Sequence, residues 1–544
     1  MPKRIFPDIT LYQLLFEQNK KFIPSNACYI DAEDHTQQLT FAEVQDIILK
    51  FGAGIKLQFE DFKQGDVVAF YAGNCLTYAA AIHGPVVIGG VSTTIDASSD
   101  AVSASIALKT VNAKILITDS SHLNKARKAA KLANLSEQNI FLFDEGNEIH
   151  QLKDDLSEYQ TFTNAFLKHN DFATPVTYSS NKLATVPCFY CFTSGTTGKK
   201  KAVTITHKSL TSALQLKDDW LPPTLSMLLH TDFHHVSSLL ITFHMNVYHG
   251  CTSYILKEYT FEKLLRGIQT CKANVISTQP WIVAAMVKEF ENIVEKKGYD
   301  LSSLMLVVCG GAFIDKTACM SFYQKYKAPL VNAYGMTEIL NFLESSFPGT
   351  LKGEMGCLST GFSCKLLDQN GKEVGYNTAG ELCVKGPTLT PGYYDNDELN
   401  AASFDKDGFF HTGDLFKVNE DGVLFFIDRL KDIIKHKVHH IAPQDIESVL
   451  MQYPLVTDCA AVGVYSDEET CWLPRAFVLL SSATEKKDLD TIKQELLNLV
   501  KEKLPPQSQL YGGLYLCRDL PRTSTGKIER RTLRLSDRMD QWLF

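Results

Sequence analysis

The sequence predicts an α/β protein built in two units, on three observations. Short apolar runs alternate with longer amphipathic stretches along most of its 544 residues, the pattern of buried strands and surface helices. No repeat of fixed period and no low-complexity tract interrupts that alternation. The composition changes character near Asp428-Arg429-Leu430-Lys431. This divides the chain into residues 1–430 and 431–544, and the second unit is long enough to form its own small α/β domain.

Taken in order, residues 67–71, 114–118 and 304–308 read as buried strands. Residues 78–91 form the most apolar long window, but His83 and Pro85 break it; it reads as a buried helix and turn rather than a membrane span. Residues 188–192 read as a strand that starts just after Pro187, where proline is tolerated. In the second unit Pro443 stands just inside a helix start, and residues 459–464 and 476–480 read as strands. Leu489, Ile492, Leu496, Leu497, Val500 and Leu504 recur at mostly three- and four-residue steps, which is one face of a helix. The run Arg518, Arg522, Lys527, Arg530, Arg531, Arg534 and Arg538 reads, by itself, as a solvated helix face.

Composition excludes several classes. Acidic residues number 62 against 54 basic, a net charge of −8, so the chain has no general pull toward nucleic acid or anionic membrane, and any anion site must be local. With 45% hydrophobic and 21% charged residues, it is not a disordered chain. The 14 cysteines are scattered from Cys28 to Cys517, which fits free thiols in a reducing compartment. No apolar stretch follows Lys3-Arg4, and the last residues are Trp542-Leu543-Phe544. The expectation is therefore a cytoplasmic protein without a secretory signal or a peroxisomal tripeptide.

The sharpest chemical feature is Thr193-Ser194-Gly195-Thr196-Thr197-Gly198-Lys199-Lys200-Lys201. Small hydroxyl residues and glycines after a buried strand let backbone N–H groups close on phosphate oxygens, and lysine neutralises their charge. The glycine spacing is not that of a Walker A loop. The bland reading is a hairpin turn with surface lysines. Five histidines fall between His230 and His249, but no complement of cysteine or carboxylate shows ligand spacing there. Cys188-x-x-Cys191 lies on a buried strand and reads as packing.

The loop resembles the phosphate-binding loop of the adenylate-forming superfamily, which includes acyl-CoA synthetases, 4-coumarate–CoA ligases, insect luciferases and peptide-synthetase adenylation domains. Lys201 keeps the motif lysine, while Lys200 replaces the usual proline and Ala202 the usual glycine. Further motifs follow in family order over essentially the whole chain. Cys309-Gly310-Gly311-Ala312 resembles the G-G-A turn beside adenine and the acyl pocket. Asn332-Ala333-Tyr334-Gly335-Met336-Thr337-Glu338 resembles the Y-G-x-T-E motif. Gly380-Glu381-Leu382-Cys383-Val384-Lys385-Gly386-Pro387 and His411-Thr412-Gly413-Asp414 resemble two further signatures. Asp428-Arg429-Leu430-Lys431 is similar to the interdomain hinge, and Pro521-Arg522-Thr523-Ser524-Thr525-Gly526-Lys527 to the C-terminal lysine motif.

The resemblance implies a large multi-layer N-terminal domain, of sheets plus a distorted β-barrel, and a small mobile α+β C-terminal domain pivoting at Lys431. It implies ATP- and Mg²⁺-dependent activation of a carboxylic acid, followed by transfer to CoA. Tyr334 would stack on adenine, Thr337 would bond a phosphate, Glu338 would hold Mg²⁺, and Asp414 and Arg429 would contact the ribose. Lys527 would bridge the carboxylate and the α-phosphate, His235 would touch the substrate carboxylate, and Lys435 would serve after the hinge. The details are closest to the luciferase and 4-coumarate–CoA ligase branch, through Phe233-His234-His235 and Ile441-Ala442-Pro443-Gln444-Asp445-Ile446-Glu447.

Two positions depart from the pattern. Val438 stands where CoA-using relatives carry glycine, and Ala213 where beetle luciferases carry arginine. Adenylation is thus better supported than thioester formation. The alternative is a luciferase-type oxygenase that adenylates a luciferin and oxidises it with O₂; a third is an inactive nucleotide-binding relative. An acyl pocket drawn from residues 233–245 and 339–342 is largely apolar, which favours a fatty or aromatic acid.

Overall fold

The computed structural model of the chain describes residues 6, 8–144, 159–194, 200–218, 221–314, 316–437, 439–481, 489–523 and 526–534. Among these, two large sheets dominate the first unit. One has six strands in the spatial order Ile140–Leu142, Ala113–Thr118, Val67–Tyr71, Val91–Thr94, Pro187–Ser194, Lys200–Thr206. All its pairs are parallel except the last, where Pro187–Ser194 and Lys200–Thr206 run antiparallel. The other has seven, in the order Leu330–Ala333, Leu306–Gly310, Val275–Thr278, Ser226–Leu229, Thr252–Ile255, Ala27–Asp31, Gln38–Thr40. Helices cover these sheets, so inner strands such as Val67–Tyr71 are apolar on both faces and read as continuous runs in the sequence. Val67–Tyr71 is buried at every position.

A third, antiparallel sheet follows: Ser363–Leu367, Gly380–Lys385, Phe410–Val418 and Leu424–Arg429. A single bridge, Gly356 to Leu424, ties it to the two-stranded piece Leu343–Glu344 and Cys357–Leu358. The smaller C-terminal domain has the sheet Val456–Ser466, Cys471–Leu480, Leu514–Cys517, backed by helices Pro443–Leu450 and Leu489–Lys503. Its main core runs from Ile434 to Leu516 and includes Ile446, Leu450, Ile492, Leu496 and Val500.

The elements depart from the sequence reading in instructive places. The strand expected at 304–308 is Leu306–Gly310: Met305 is 57% exposed, and its N–H is bound to the Asn274 carbonyl, just before the neighbouring strand Val275–Thr278. The window 78–91 holds parts of two short helices, Leu76–Ala81 and Gly84–Val87, with His83 between them. No described helix is long and apolar enough to cross a membrane.

The basic run near the C-terminus is not a solvated face at three of its arginines. Arg522 pairs with Asp458, Arg530 with Glu447 at 2.6 Å, and Arg534 with Asp432 at 3.0 Å. Glu447 also accepts the Ala461 N–H at 2.8 Å. Asp428, at the end of the third sheet, accepts the Gln444 N–H at 3.0 Å, and burial pushes its carboxyl up to about 6. Arg538 lies outside the described residues.

Candidate active site

In layered α/β structures ligands bind beyond the carboxyl ends of strands, and two adjacent ends converge here. Leu306–Gly310 runs out into Gly311-Ala312, and Leu330–Ala333 into Tyr334-Gly335. Asn332 is buried, with its N–H on Thr350 Oγ1 at 3.0 Å and its Oδ1 without a partner. At Gly335 the chain passes so close to Leu340 that a Cβ would stand 2.2 Å from the Leu340 carbonyl oxygen. Only glycine permits that approach, and it sets the turn carrying Thr337 and Glu338.

The third sheet closes on this end. Tyr334 donates its hydroxyl to Asp414 Oδ2 at 2.7 Å, with Phe416 and Phe342 edge-on to its ring at 5.0 and 5.5 Å. Arg429, the cross-strand partner of Asp414, places its Nε 3.6 Å from Asp414 Oδ1. Burial raises the Asp414 carboxyl, against the pull of Arg429 and the Tyr334 hydroxyl. Glu338 is also buried. The Tyr393 hydroxyl donates to its Oε1 at 2.8 Å; burial raises its carboxyl, opposed by that bond and by Lys201 and Lys527. Lys201 pairs across the hairpin with Thr193, and its Nζ lies 5.4 Å from the Tyr393 ring centre.

Lys527 enters from the C-terminal domain. A Cβ built on Gly311 would be 4.0 Å from Lys527 Cε. Burial lowers the ammonium to about 8; Arg429 and Lys431 repel it, and Asp414 and Glu338 attract it. Lysine, two carboxylates and an arginine thus share one chamber above the two strand ends. Such a mixed-charge, partly buried site can hold a polyanion and stabilise charge that develops on it.

The other expected residues fall as follows. His235 begins the short helix Val236–Ser238, with its ring 4.2 Å from that of His234. His234 is partly buried, with its Nε2 shielded from solvent; desolvation lowers its imidazole, which Asp96 and Asp232 face. Gly310, Ala312, Ala333 and Thr337 lie on the converging strand ends and turns. Lys435 is exposed on the hairpin Ile434–His436/His439–Ile441. Ser194 pairs with Lys200 through the backbone, so the phosphate-loop candidate joins an antiparallel hairpin. Gly195, Thr196, Thr197, Gly198 and Val438 lie outside the described residues. Cys188 and Cys191 are buried, and burial pushes the Cys191 thiol up to about 12, in keeping with packing.

Two side chains near the site were not singled out in the sequence. Tyr393 sits in Pro391-Gly392-Tyr393-Tyr394, and nothing in its spacing marks a bond to Glu338, 55 residues earlier. The second is Trp281, opposite the Lys527 turn. Glu381, Cys383 and His411 also bring three donor atoms within 4.8 Å of one another. His411 bonds Glu381 at 2.9 Å, and burial raises the Cys383 thiol to about 12.

Residues 15–394 match the family of AMP-binding enzymes, and residues 445–527 match the AMP-binding enzyme C-terminal domain. The chain belongs to this adenylate-forming family. It is 30% identical to a 4-coumarate–CoA ligase of Pinus taeda, over 97% of this chain and 94% of that protein. It is 27% identical to acyl-CoA ligase azaF of Aspergillus niger, over 93% and 94%. In fold it is similar to the anthranilate CoA ligase AuaEII, solved with anthranoyl-AMP, with a TM-score of 0.84 at 21% identity over 97% of both chains.

Proposed function

We propose that the protein uses ATP to convert a hydrophobic carboxylic acid to an acyl-adenylate, and then transfers the acyl group to CoA. The observation that carries this reading is the position of Lys527, brought by the C-terminal domain to the chamber of Glu338, Asp414, Arg429 and Gly311. The ligase relatives support it. The named residues fit the groups the reaction needs. Asn332 Oδ1 is a buried acceptor without a partner, suited to an exocyclic amine such as that of adenine. Asp414, fixed by Tyr334 and Arg429, suits the ribose hydroxyls. Tyr393 holds one oxygen of Glu338, and a divalent cation would stabilise that buried charge. Bound there, Mg²⁺ supplies positive charge to the phosphates.

In the first step a carboxylate oxygen attacks the α-phosphorus of ATP. The bond from that phosphorus to the bridging oxygen breaks, and pyrophosphate leaves. Both reactants are anions, so the barrier falls when fixed positive charge lies between them. Lys527 supplies that charge, with Lys201 and the 193–201 loop on the phosphates and His235 on the acid. In the second step the CoA sulfur attacks the acyl carbon, the carbon–oxygen bond to AMP breaks, and the thiol proton passes to solvent. Between the steps residues 431–544 turn about Lys431 against residues 1–430, withdrawing Lys527 and presenting the face that carries Lys435. The acid is fatty or aromatic: Phe233, Leu239, Phe243, Met245, Ile339 and Phe342 are all buried apolar side chains of the segments expected to line its pocket.

The test is mass spectrometry of products from ATP, Mg²⁺ and a panel of fatty, aromatic and short acids, with and without CoA. Acyl-CoA is expected. Acyl-AMP that persists with CoA, with light on admitting O₂, would select the oxygenase alternative. ATP binding without turnover of any acid would refute the reading, and preference for acetate or a free amino acid would refute the hydrophobic pocket.

A further inference from the structure

Lys527 reaches the site on a short turn, and something on the first unit must fix where that turn sits. Within the turn the Gly526 N–H bonds the Thr523 carbonyl and the Thr523 N–H bonds the Lys527 carbonyl, each at 2.8 Å. Arg522 Nη1 closes it onto the Gly526 carbonyl at 2.9 Å, while Nη2 pairs with Asp458. Opposite it stands the helix Pro280–Lys288, which packs against the strand Val456–Ser466. Its first turn presents Trp281. The Arg522 guanidinium lies over that indole, 5.8 Å from its centre.

The contact at Gly526 is closer still. Gly526 has φ +74°, and a Cβ there would meet Trp281 Nε1 at 2.6 Å. The indole is braced from behind: Tyr259 is edge-on at 5.5 Å, and His230 is 5.5 Å from Tyr259. At the other end of the helix the Lys288 Nζ is buried without a hydrogen-bond partner, and Asp458 and Cys459 exert their fields on it. The helix therefore meets the C-terminal domain at both ends, and Trp281 touches Gly526, the residue adjoining Lys527.

We propose that Trp281 is a positioning residue for Lys527: its indole is the platform on which the Arg522–Lys527 turn seats when Lys527 occupies the chamber. This rests on the adenylation reading for its consequence, but not for the contact itself. A rigid aromatic seat braced by Tyr259 costs little entropy, and a misplacement of about 1 Å in a reacting group is worth as much as 100-fold in rate. Truncating the seat leaves Lys527 present but poorly held, so the loss falls on kcat for adenylation rather than on nucleotide binding.

The experiment compares Trp281→Ala and Trp281→Phe with the unaltered full-length protein by two readouts. The first is hydrogen–deuterium exchange of the Thr523 and Gly526 amides, with the strand Val456–Ser466 as the control for folding. The second is acid-dependent ATP–pyrophosphate exchange. In Trp281→Ala the two turn amides exchange at least about tenfold faster while the strand stays protected. Exchange kcat falls about 10- to 100-fold with the KM for ATP within about twofold, and Trp281→Phe keeps most of both properties. Unchanged protection of the turn in Trp281→Ala overturns the proposal, as does a loosened turn with wild-type exchange kinetics. If the unaltered protein activates no acid, the adenylation reading fails by itself, and amide exchange alone decides whether Trp281 is the seat.

Discussion

Replacing Tyr393 by phenylalanine tests the Glu338 assignment with the smallest available perturbation. The ring stays, including its face toward Lys201, and one oxygen is lost, the one that donates to Glu338 Oε1 at 2.8 Å. A hydrogen bond to a buried ionised group contributes about 1.5 to 3 kcal/mol. At 1.36 kcal/mol per unit, its loss moves the carboxyl's pKa by about 1 to 2 units. The sign follows from the opposing influences: burial already raises Glu338 above the ordinary carboxylate range, and the Tyr393 hydroxyl holds it down. Removing the hydroxyl therefore raises it further, and the carboxylate is lost at a higher pH as the solution is acidified.

The assay is ATP–pyrophosphate exchange from about pH 5 to pH 9, with a Mg²⁺ titration at each pH. The acid limb in Tyr393→Phe should move upward by about 1 to 2 units, and on that limb the Mg²⁺ requirement should rise by about 10- to 150-fold. Well above the limb the two proteins should converge. An acid limb and Mg²⁺ midpoint that stay in place would remove Glu338 from the cation site.

Three further outcomes follow from the same geometry. Lys527→Ala should abolish adenylation while leaving acyl transfer from supplied acyl-adenylate to CoA largely intact, read by single-turnover product analysis; equal loss of both halves would reject the bridging role. Lys527 is lowered to about 8, so its charge is present below that pH and lost above it. The kcat/KM for adenylation should accordingly fall as pH rises through about 8, and Lys527→Arg should lack that limb, whereas a profile flat to about pH 10 would contradict it. Arg530→Ala strands Glu447 as a buried carboxylate and should destabilise the C-terminal domain by about 3 kcal/mol or more, measured by denaturant unfolding.

Local features were legible in the sequence because they depend on neighbours. The helix Leu489–Lys503 announced itself by apolar spacing, and Pro443 stands at the first residue of its helix. The strand at 304–308 was misplaced by two residues because apolar character does not separate a buried valine from an exposed Met305. The long-range pairs were not legible. Tyr334–Asp414 spans 80 residues and Tyr393–Glu338 spans 55, and no spacing encodes either. The arginines of the C-terminal run looked like a solvated face for the same reason: their partners Asp432, Glu447 and Asp458 lie 64 to 102 residues away. Family motifs pointed to many of the chamber's residues, but not to how they bond.

The segment from Gly526 to Arg534 is tied at both ends. One end delivers Lys527 to the chamber; the other holds Arg534 on Asp432 and on the Lys431 carbonyl at 3.4 Å, at the proposed pivot itself. All three of these residues belong to the unit 431–544 that turns, so the ionic pair travels with the lysine and fixes its carrier to the axis, as a crank arm is fixed to its shaft. Salt weakens the partly exposed Arg534–Asp432 pair and would loosen that arm. Adenylation by the unaltered protein should therefore fall more steeply with ionic strength than adenylation by Arg534→Ala, whose arm is already loose.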